Sequence, residues 1–176
     1  MRYFRKVSGE RVYLSPMNPD DVIQYTEWIN DPAVSVLTGG YPRMYSYPVE
    51  QQALERMCAE PAQFAIVASD GDLLIGNMGL MDINYIDGTA TLGIFIGRAE
   101  YRGKGYGAEA IRLMLGFAFH TLNLRNIMLE VHANNAQGIA CYQKCGFKEI
   151  GRRTGAKFIG GRYQDLVFME ALRGEV

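Results

Sequence analysis

The residues Ala-Thr-Leu-Gly-Ile-Phe-Ile-Gly (90–97), Arg-Gly-Lys-Gly-Tyr-Gly (102–107) and Ala-Glu-Ala-Ile (108–111) follow one another near the middle of the chain. Their order predicts an apolar strand, a short loop, a glycine-rich turn and a helix. Glycine tolerates positive φ and lets a ligand approach the backbone. The first amides of a helix have no intrahelical partner and lie at the positive end of its dipole. The stretch from Gly103 to Ala108 therefore predicts an anion site, suited to phosphate or pyrophosphate, with positive charge added by Arg102 and Lys104.

Three phosphate-binding patterns compete for this loop. A Walker-type P-loop has four residues between its first glycine and a Gly-Lys pair, whereas five residues separate Gly97 from Gly103-Lys104, and no Ser or Thr follows the lysine. A dinucleotide fingerprint fits residues 105–110, but that fingerprint follows its strand directly, in the first βαβ unit. The pattern Arg-x-x-Gly-x-Gly fits residues 102–107 without strain. The alternative to all three is a glycine-rich turn that only starts a helix.

Length and composition are those of an ordinary globular protein. The 176 residues are 48% apolar and 21% charged, which predicts one domain spanning residues 1–176 with a sizeable core. The net charge of −1 offers no attraction to nucleic acid or to an anionic membrane, so we predict neither as a partner.

Cysteine and histidine usage argues against a disulfide framework and against a metal site. Cys58, Cys141 and Cys145 are odd in number and sparse, which favours a reducing compartment and buried thiols. His120 and His132 add no recognisable metal-ligand spacing, so we predict no metal. No apolar signal segment follows the basic N-terminus, and no apolar run is long enough to span a bilayer, so we expect a cytoplasmic protein.

Hydrophobic periodicity and turn residues divide the remaining chain into strands and helices. The order is one strand, two helices, three consecutive antiparallel strands, then helix, strand, helix and two strands. That order argues for one mixed α/β sheet with helices on its faces. The predicted strands are 11–15, 63–68, 73–84, 89–97, 125–132, 147–153 and 163–172, and the predicted helices end at Asn30, Glu60, Leu122 and Cys145.

Two segments have no clear periodicity. The segment from Ala33 to Pro48 carries Gly39-Gly40, Tyr41 and Tyr45, and we interpret it either as a wall of an acceptor site or as an ordinary surface loop with packed tyrosines. The segment from Gly155 to Gly161 is predicted as a glycine-containing loop before the last strand.

A second motif lies on the predicted helix that follows Asn134. It reads Asn135-x-x-Gly138-x-x-x-Tyr142-x-Lys144-x-Gly146-Phe147. Taken alone, Asn135 is a helix N-cap and Tyr142 is a packed aromatic residue. With the Arg-x-x-Gly-x-Gly loop, in this order and on this strand–helix pattern, the motif resembles the GNAT-family N-acetyltransferases, in which Ala usually stands in place of Gly138. Residues 159–165 also resemble the RimJ/RimL-like branch and its relatives, the bacterial spermidine/spermine N-acetyltransferases, and residues 82–86 resemble the latter.

This resemblance implies a fold, a co-substrate and a set of roles. The sheet would be mixed and mostly antiparallel, with helices on both faces and a splayed central strand pair that admits the pantetheine arm of acetyl-CoA. An amine would attack the thioester directly in a ternary complex, without a metal, and the Tyr142 phenol would protonate the leaving thiolate. Backbone groups of the central strand would pair with the pantetheine amides, and Asn135 would bond the cofactor or fix the helix start. The residues implied in acetyl-CoA binding are Ile94, Phe95, Ile96, Arg102, Gly103, Lys104, Gly105, Tyr106, Gly107, Ala108, Asn135 and Tyr142.

The general base stays open on the sequence alone. Many relatives carry Glu directly after the alanine that opens the central strand, where Thr91 stands in this chain. A threonine hydroxyl cannot remove a proton from an ammonium group at neutral pH. Asp82, Glu130 and an ordered water remain as candidates, and strand alternation predicts that Glu130 lies on the face opposite Leu129 and Val131.

The acceptor and the assembly are expectations of the same kind. A polyamine or another small amine is the favoured acceptor. The alternatives are the α-amine of a protein N-terminus, as in acetyltransferases of ribosomal proteins, and a non-catalytic acyl-CoA-binding module. Exposed strand edges in such a sheet are compatible with a homodimer.

Overall fold

The computed structural model describes residues 2–39 and 42–175. The strands are β1 (Val7–Ser8), β2 (Val12–Pro16), β3 (Gln63–Ala68), β4 (Leu73–Asn84), β5 (Thr89–Ile96), β6 (Asn126–His132), β7 (Lys148–Ile159) and β8 (Arg162–Leu172). The α-helices are α1 (Val22–Asn30), α2 (Pro32–Thr38), α3 (Tyr47–Ala59), α4 (Tyr106–Gly116) and α5 (Ala136–Lys144). Short 3₁₀ turns at Pro19–Asp21 and Ala99–Tyr101, and a π-helical turn at Phe117–Thr121, complete the described helical segments.

The strands form one eight-stranded sheet in the order β1-β2-β3-β4-β5-β6-β8-β7. Among the neighbouring pairs whose register is described, only β5 and β6 are parallel. Their pairing joins Thr89–Thr91 to Asn126–Met128, although the two strands continue to Ile96 and His132. The prediction of a mixed, mostly antiparallel sheet is therefore confirmed.

The chain divides into two compact units. One comprises the residues up to Gly79 together with Ile94–Leu113, and the other comprises Leu80–Gly93 together with the residues from Met114 onward. The single domain predicted for residues 1–176 stays a prediction. In the described part of the chain, no helix combines the length and the apolar character that a membrane span requires.

Each unit has its own apolar core. In the first unit, Tyr13, Tyr25, Trp28 and Leu54 form the centre of a buried cluster to which Phe95 adds its half-buried ring. In the second unit, alternate residues of β6 and β8 are buried, as expected for strands with one covered face. They are Ile127, Leu129, Val131, Val167, Met169 and Ala171.

The segment after α1 is more regular than predicted. We expected irregular structure from Ala33 to Pro48, but α2 occupies the first part of it. Asp31 caps this helix by accepting a hydrogen bond from the Ala33 N–H at 2.9 Å, Pro32 is its first residue, and Gly39 ends it with φ +78°. The Asp31-Pro32 step therefore ends one helix and begins another. Gly40 and Tyr41 lie outside the described residues.

The loop predicted from Gly155 to Gly161 is wrong, because β7 continues through most of it. Gly155 has φ +59°, and its N–H donates to the Asp165 carboxylate of β8 at 2.8 Å. The register between β7 and β8 shifts between Arg153 and Lys157, so the strand absorbs the glycine as an irregularity. The turn itself is limited to Gly160 and Gly161, both with positive φ.

Candidate active site

The glycine-rich loop has the backbone conformation that the sequence predicts. Gly103 and Gly105 have φ values of +70° and +88°, a region in which side chains are strained. Gly103, Lys104 and Gly105 are exposed, and α4 begins at the next residue, Tyr106. The loop therefore presents glycine backbone in front of the first, dipole-positive turn of a helix.

The side chain of Arg102 binds the end of the strand that precedes the loop. Its Nε donates to the Ile96 carbonyl at 2.8 Å and its Nη2 donates to the Gly97 carbonyl at 2.5 Å. The Asp31 carboxylate lies 4.0 Å away. The guanidinium thus fixes the loop to β5 and keeps its positive charge next to the loop.

A second arginine, just before β2, reaches the same loop, and sequence reasoning missed it. The backbone N–H and the Nε of Arg11 donate to the Glu109 carboxylate at 2.8 and 3.0 Å, and its Nη1 donates to the Lys104 carbonyl at 3.0 Å. Burial raises the pKa of Glu109, but the hydrogen bonds from Arg11 and from the Val12 N–H outweigh it and hold that pKa below its usual value. The only local signal was an acidic residue in the first turn of a helix.

The last residues of β5 are tightly held by their neighbours. The Phe95 ring meets the rings of Trp28 and Tyr25 edge-on, with centroids 6.0 and 6.4 Å apart. A Cβ placed on Gly76 of β4 would lie 3.0 Å from the Ile96 Cα and closer still to the Phe95 carbonyl oxygen. The Phe95 carbonyl therefore faces β4, and the Ile96 carbonyl already accepts a hydrogen bond from an arginine.

The second motif forms a capped helix with a half-buried phenol. The Asn135 side chain accepts a hydrogen bond from the Gly138 N–H at 2.9 Å, so Asn135 is the N-cap of α5. A Cβ on Gly138 would lie 2.5 Å from the Asn135 Nδ2, which gives a local reason for glycine at this position. Gly146, with φ +92°, follows the helix as predicted.

Tyr142 lies on α5 in surroundings that favour the protonated phenol. Its ring meets Phe147 edge-on, with centroids 5.9 Å apart. Burial, followed by the proximity of the Cys141 and Cys145 thiols, raises the pKa of Tyr142 to about 12. The phenol is therefore protonated at neutral pH, the state that a proton donor requires.

The candidate bases differ little in exposure. Asp82 and Glu130 are both exposed, and Thr91 is half-buried in the parallel pair with Met128. Leu129 and Val131 are buried whereas Glu130 between them is exposed, so the predicted alternation along β6 is confirmed. Asp82 also has a φ of +51°, which is uncommon for a residue other than glycine.

The predicted site residues are divided between the two units. Ile94–Ile96, Arg102 and Gly103–Ala108 belong to the first unit, and Asn135 and Tyr142 belong to the second. Cys145 is buried, while Cys58 and Cys141 are half-buried. No cluster of three or more potential metal ligands occurs within residues 2–39 and 42–175.

The structure thus contains a strand, an Arg-x-x-Gly-x-Gly loop and a helix, and further along the chain a capped helix with a protonated phenol. This is the combination from which the sequence predicts an acyl-CoA-dependent transferase. Comparison with known proteins identifies the family within that class. The acetyltransferase (GNAT) domain family matches residues 11–148. The chain therefore belongs to the GNAT acetyltransferases, which confirms the predicted fold, the predicted enzyme class and acetyl-CoA as co-substrate.

Individual relatives cover nearly the whole chain. The chain is 32% identical over 158 residues to the spermidine N(1)-acetyltransferase of Vibrio cholerae, an alignment that covers 90% of this chain and 84% of that protein. It is 29% identical over 164 residues to the spermidine N(1)-acetyltransferase of Escherichia coli K12, covering 92% of this chain and 86% of that protein. The crystal structure of the Vibrio cholerae enzyme in complex with CoA and spermine matches with a TM-score of 0.84 at 28% identity, over 95% of this chain and 98% of that one.

Proposed function

We propose that the protein acetylates a primary amine of a polyamine with acetyl-CoA, and that the whole chain acts as one N-acetyltransferase domain. The observation that carries this proposal is the match to the Vibrio cholerae spermidine enzyme, in sequence at 32% identity and in structure with a TM-score of 0.84. Both matches extend over at least 90% of this chain. The glycine-rich loop and the protonated phenol supply the chemistry that such a reaction needs.

The proposed acetyl-CoA site uses the residues that the motifs predict. The backbone from Gly103 to Ala108, at the N-terminal end of α4, binds the diphosphate. Backbone groups of Ile94–Ile96 pair with the pantetheine amides, with Ile94 as the central contact, because the Phe95 carbonyl faces β4 and the Ile96 carbonyl already accepts a hydrogen bond from Arg102. Arg102 holds the loop against this strand, and Asn135 holds the start of the helix that carries the phenol.

The proposed chemistry is a direct transfer. The lone pair of a neutral amine attacks the thioester carbonyl carbon, and a tetrahedral intermediate forms. When that intermediate collapses, the C–S bond breaks and the Tyr142 phenol gives its proton to the leaving thiolate. The proton released by the amine then restores the phenol through solvent. A phenol with a pKa of about 12 keeps its proton until the thiolate develops.

Self-association belongs to the same proposal. One solved relative at 28% identity is described as the dodecameric spermidine N-acetyltransferase of Vibrio cholerae in an intermediate state, and it matches this chain with a TM-score of 0.78. We propose that this chain also forms an oligomer, for which a homodimer is the simplest unit. Light scattering on purified protein measures the mass directly, and a monomer at all concentrations would contradict this part.

The test is thiol release from acetyl-CoA with a panel of polyamines, other small amines and peptides with free N-termini. Wild type, Tyr142→Phe and the control Tyr163→Phe are compared, because Tyr163 is 74% exposed in the same unit. We expect release with polyamines, a loss of about 10²–10⁴-fold in kcat for Tyr142→Phe, and little change for the control. Enzyme-only blanks correct for the three cysteines.

Each other outcome has a defined meaning. Release with peptides but not with polyamines would replace the polyamine by an N-terminal α-amine. Undiminished kcat in Tyr142→Phe would keep the reaction and remove the phenol as the acid. Binding of acetyl-CoA without release by any amine would favour the non-catalytic binding module.

A further inference from the structure

We infer that Arg11 is a positioning residue for the diphosphate of acetyl-CoA, acting through the glycine-rich loop. This inference rests on the proposed function, because it concerns the same co-substrate site. Arg11 stands just before β2, far from the loop in sequence, and no recognised motif of the chain contains it.

The side chain of Arg11 contacts three successive parts of the loop and helix. Its Nη1 donates to the carbonyl of Lys104 in the loop at 3.0 Å, and its Nε donates to Glu109 in the first turn of α4 at 3.0 Å. Its guanidinium carbon also lies 4.8 Å from the ring centroid of Tyr106, the first residue of α4. A planar guanidinium with donors in fixed directions can make these contacts at once.

Local backbone geometry is adapted to this arginine. A Cβ on Gly105 would lie 3.0 Å from the Arg11 Nη2, so the guanidinium packs directly against that glycine. On the other side, a Cβ on Gly9 would lie 2.5 Å from the Glu109 Oε1. Glycine at both positions leaves room for the Arg11–Glu109 pair.

A loop with two left-handed glycines needs such a support. Glycine loses more conformational freedom on ordering than any other residue, so an unsupported loop would have to be ordered by the ligand itself. Arg102 fixes the start of the loop to β5, and Arg11 fixes its end to the helix. With both contacts in place, the loop amides are pre-organised for an anion.

The pair also solves an electrostatic problem. Glu109 lies in the first turn of α4, where its negative charge would oppose a diphosphate bound at the same helix end. The Arg11 guanidinium, whose Nε donates to the Glu109 carboxylate at 3.0 Å, neutralises that charge. Loss of Arg11 therefore weakens the loop geometry and leaves an uncompensated carboxylate beside the anion.

The test compares two acetyl donors. Acetyl-CoA contains the diphosphate as part of its 3′-phospho-ADP group, and S-acetylpantetheine lacks that whole group. For Arg11→Gln we expect the KM for acetyl-CoA to rise about tenfold with kcat nearly unchanged, and kcat/KM for S-acetylpantetheine to stay at the wild-type value. Arg11→Lys should show most of the same loss, because an ammonium group cannot make the forked contacts. Arg112→Gln, at an exposed position on the same helix, is the matched control.

A double-variant cycle tests the pairing with Glu109. If the two residues act as one unit, Arg11→Gln combined with Glu109→Gln binds CoA no more weakly than Arg11→Gln alone. Thermal unfolding of each variant checks that it is folded. If Arg11→Gln does not fold, Arg11→Lys carries the donor comparison, because it keeps the positive charge and loses the forked contacts.

Two results would overturn the inference. Equal loss with both donors would make Arg11 a general stability residue, and an unchanged KM for acetyl-CoA would remove it from the site. Calorimetric titration of wild type with CoA separates this outcome from failure of the proposed function. Wild type that binds CoA while Arg11→Gln binds it equally well contradicts only the inference, whereas wild type that binds no CoA contradicts both.

Discussion

The substitution Gly76→Ala adds one methyl group where β4 lies directly against the backbone at the end of β5. The new Cβ would lie 3.0 Å from the Ile96 Cα and 3.1 Å from the Phe95 carbonyl carbon, with the Phe95 oxygen nearer still. These are backbone atoms, so rotation of a flexible side chain cannot relieve the overlap. We therefore expect β4 and the end of β5 to separate.

The magnitude follows from the kind of clash. Overpacking a well-packed core usually costs about 1–3 kcal/mol, and a clash with backbone belongs at the upper end. Ala also lowers the conformational entropy of the unfolded chain, which stabilises the folded state by about 0.4–1 kcal/mol. We expect a net loss of about 2–3 kcal/mol in the free energy of unfolding, which for a chain of this size lowers the Tm by about 4–12 °C. Because the displaced residues include Phe95 and Ile96, the KM for acetyl-CoA should also rise.

The assay is thermal and urea-induced unfolding followed by circular dichroism. The matched control is Gly151→Ala in β7, where a Cβ would meet no atom within 4 Å. That variant should unfold within about 0.5 kcal/mol of wild type. If Gly76→Ala also unfolded within that margin, the strands would tolerate a methyl group between them, and the close approach that underlies this reasoning would be refuted.

Two further predictions concern stability. Burial raises the pKa of Glu50, so the folded state favours the neutral acid and loses stability as the pH rises through that raised pKa. We therefore expect Glu50→Gln to be more stable than wild type near pH 8 and no more stable than wild type near pH 4. Urea unfolding at both pH values measures the difference. Glu55→Gln, exposed on the same helix, should show no such gain, and a gain of equal size there would rule out burial as the cause. Asn135→Ala should lose the cap of α5 and about 1 kcal/mol in urea unfolding, whereas Asn135→Asp keeps the acceptor oxygen and should lose much less; equal losses would show that the cap bond is not responsible.

Local patterns were sufficient for the elements that carry the motifs. β3 and β4 have the predicted bounds, Gln63–Ala68 and Leu73–Asn84, because apolar runs are closed by the Asp70-Gly71 turn. The glycine-rich loop and the capped helix α5 also lie where their cap and turn residues place them. In these segments, sequence neighbours decide the structure.

The wrong or missing predictions have physical causes that the neighbouring residues in the sequence do not reveal. The helix α2 has seven residues, which are too few to show a recognisable helical hydrophobic period. The only sequence signals for it were its N-cap residue and its proline. Gly155 looked like a loop residue because its bond to the Asp165 carboxylate, which keeps the strand together, comes from the partner strand. The Arg11–Glu109 contact joins residues 98 apart, and no local pattern encodes such a pair.

The bonds of Arg102 change what its motif reports. Two of its guanidinium nitrogens donate to main-chain carbonyls of the same protein, those of Ile96 and Gly97. The arginine thus stabilises the conformation of the loop without any ligand. A related chain without Tyr142 would need this arginine for the same loop conformation. The motif Arg-x-x-Gly-x-Gly therefore indicates the conformation of this loop. Other residues must distinguish an active enzyme from an inactive relative.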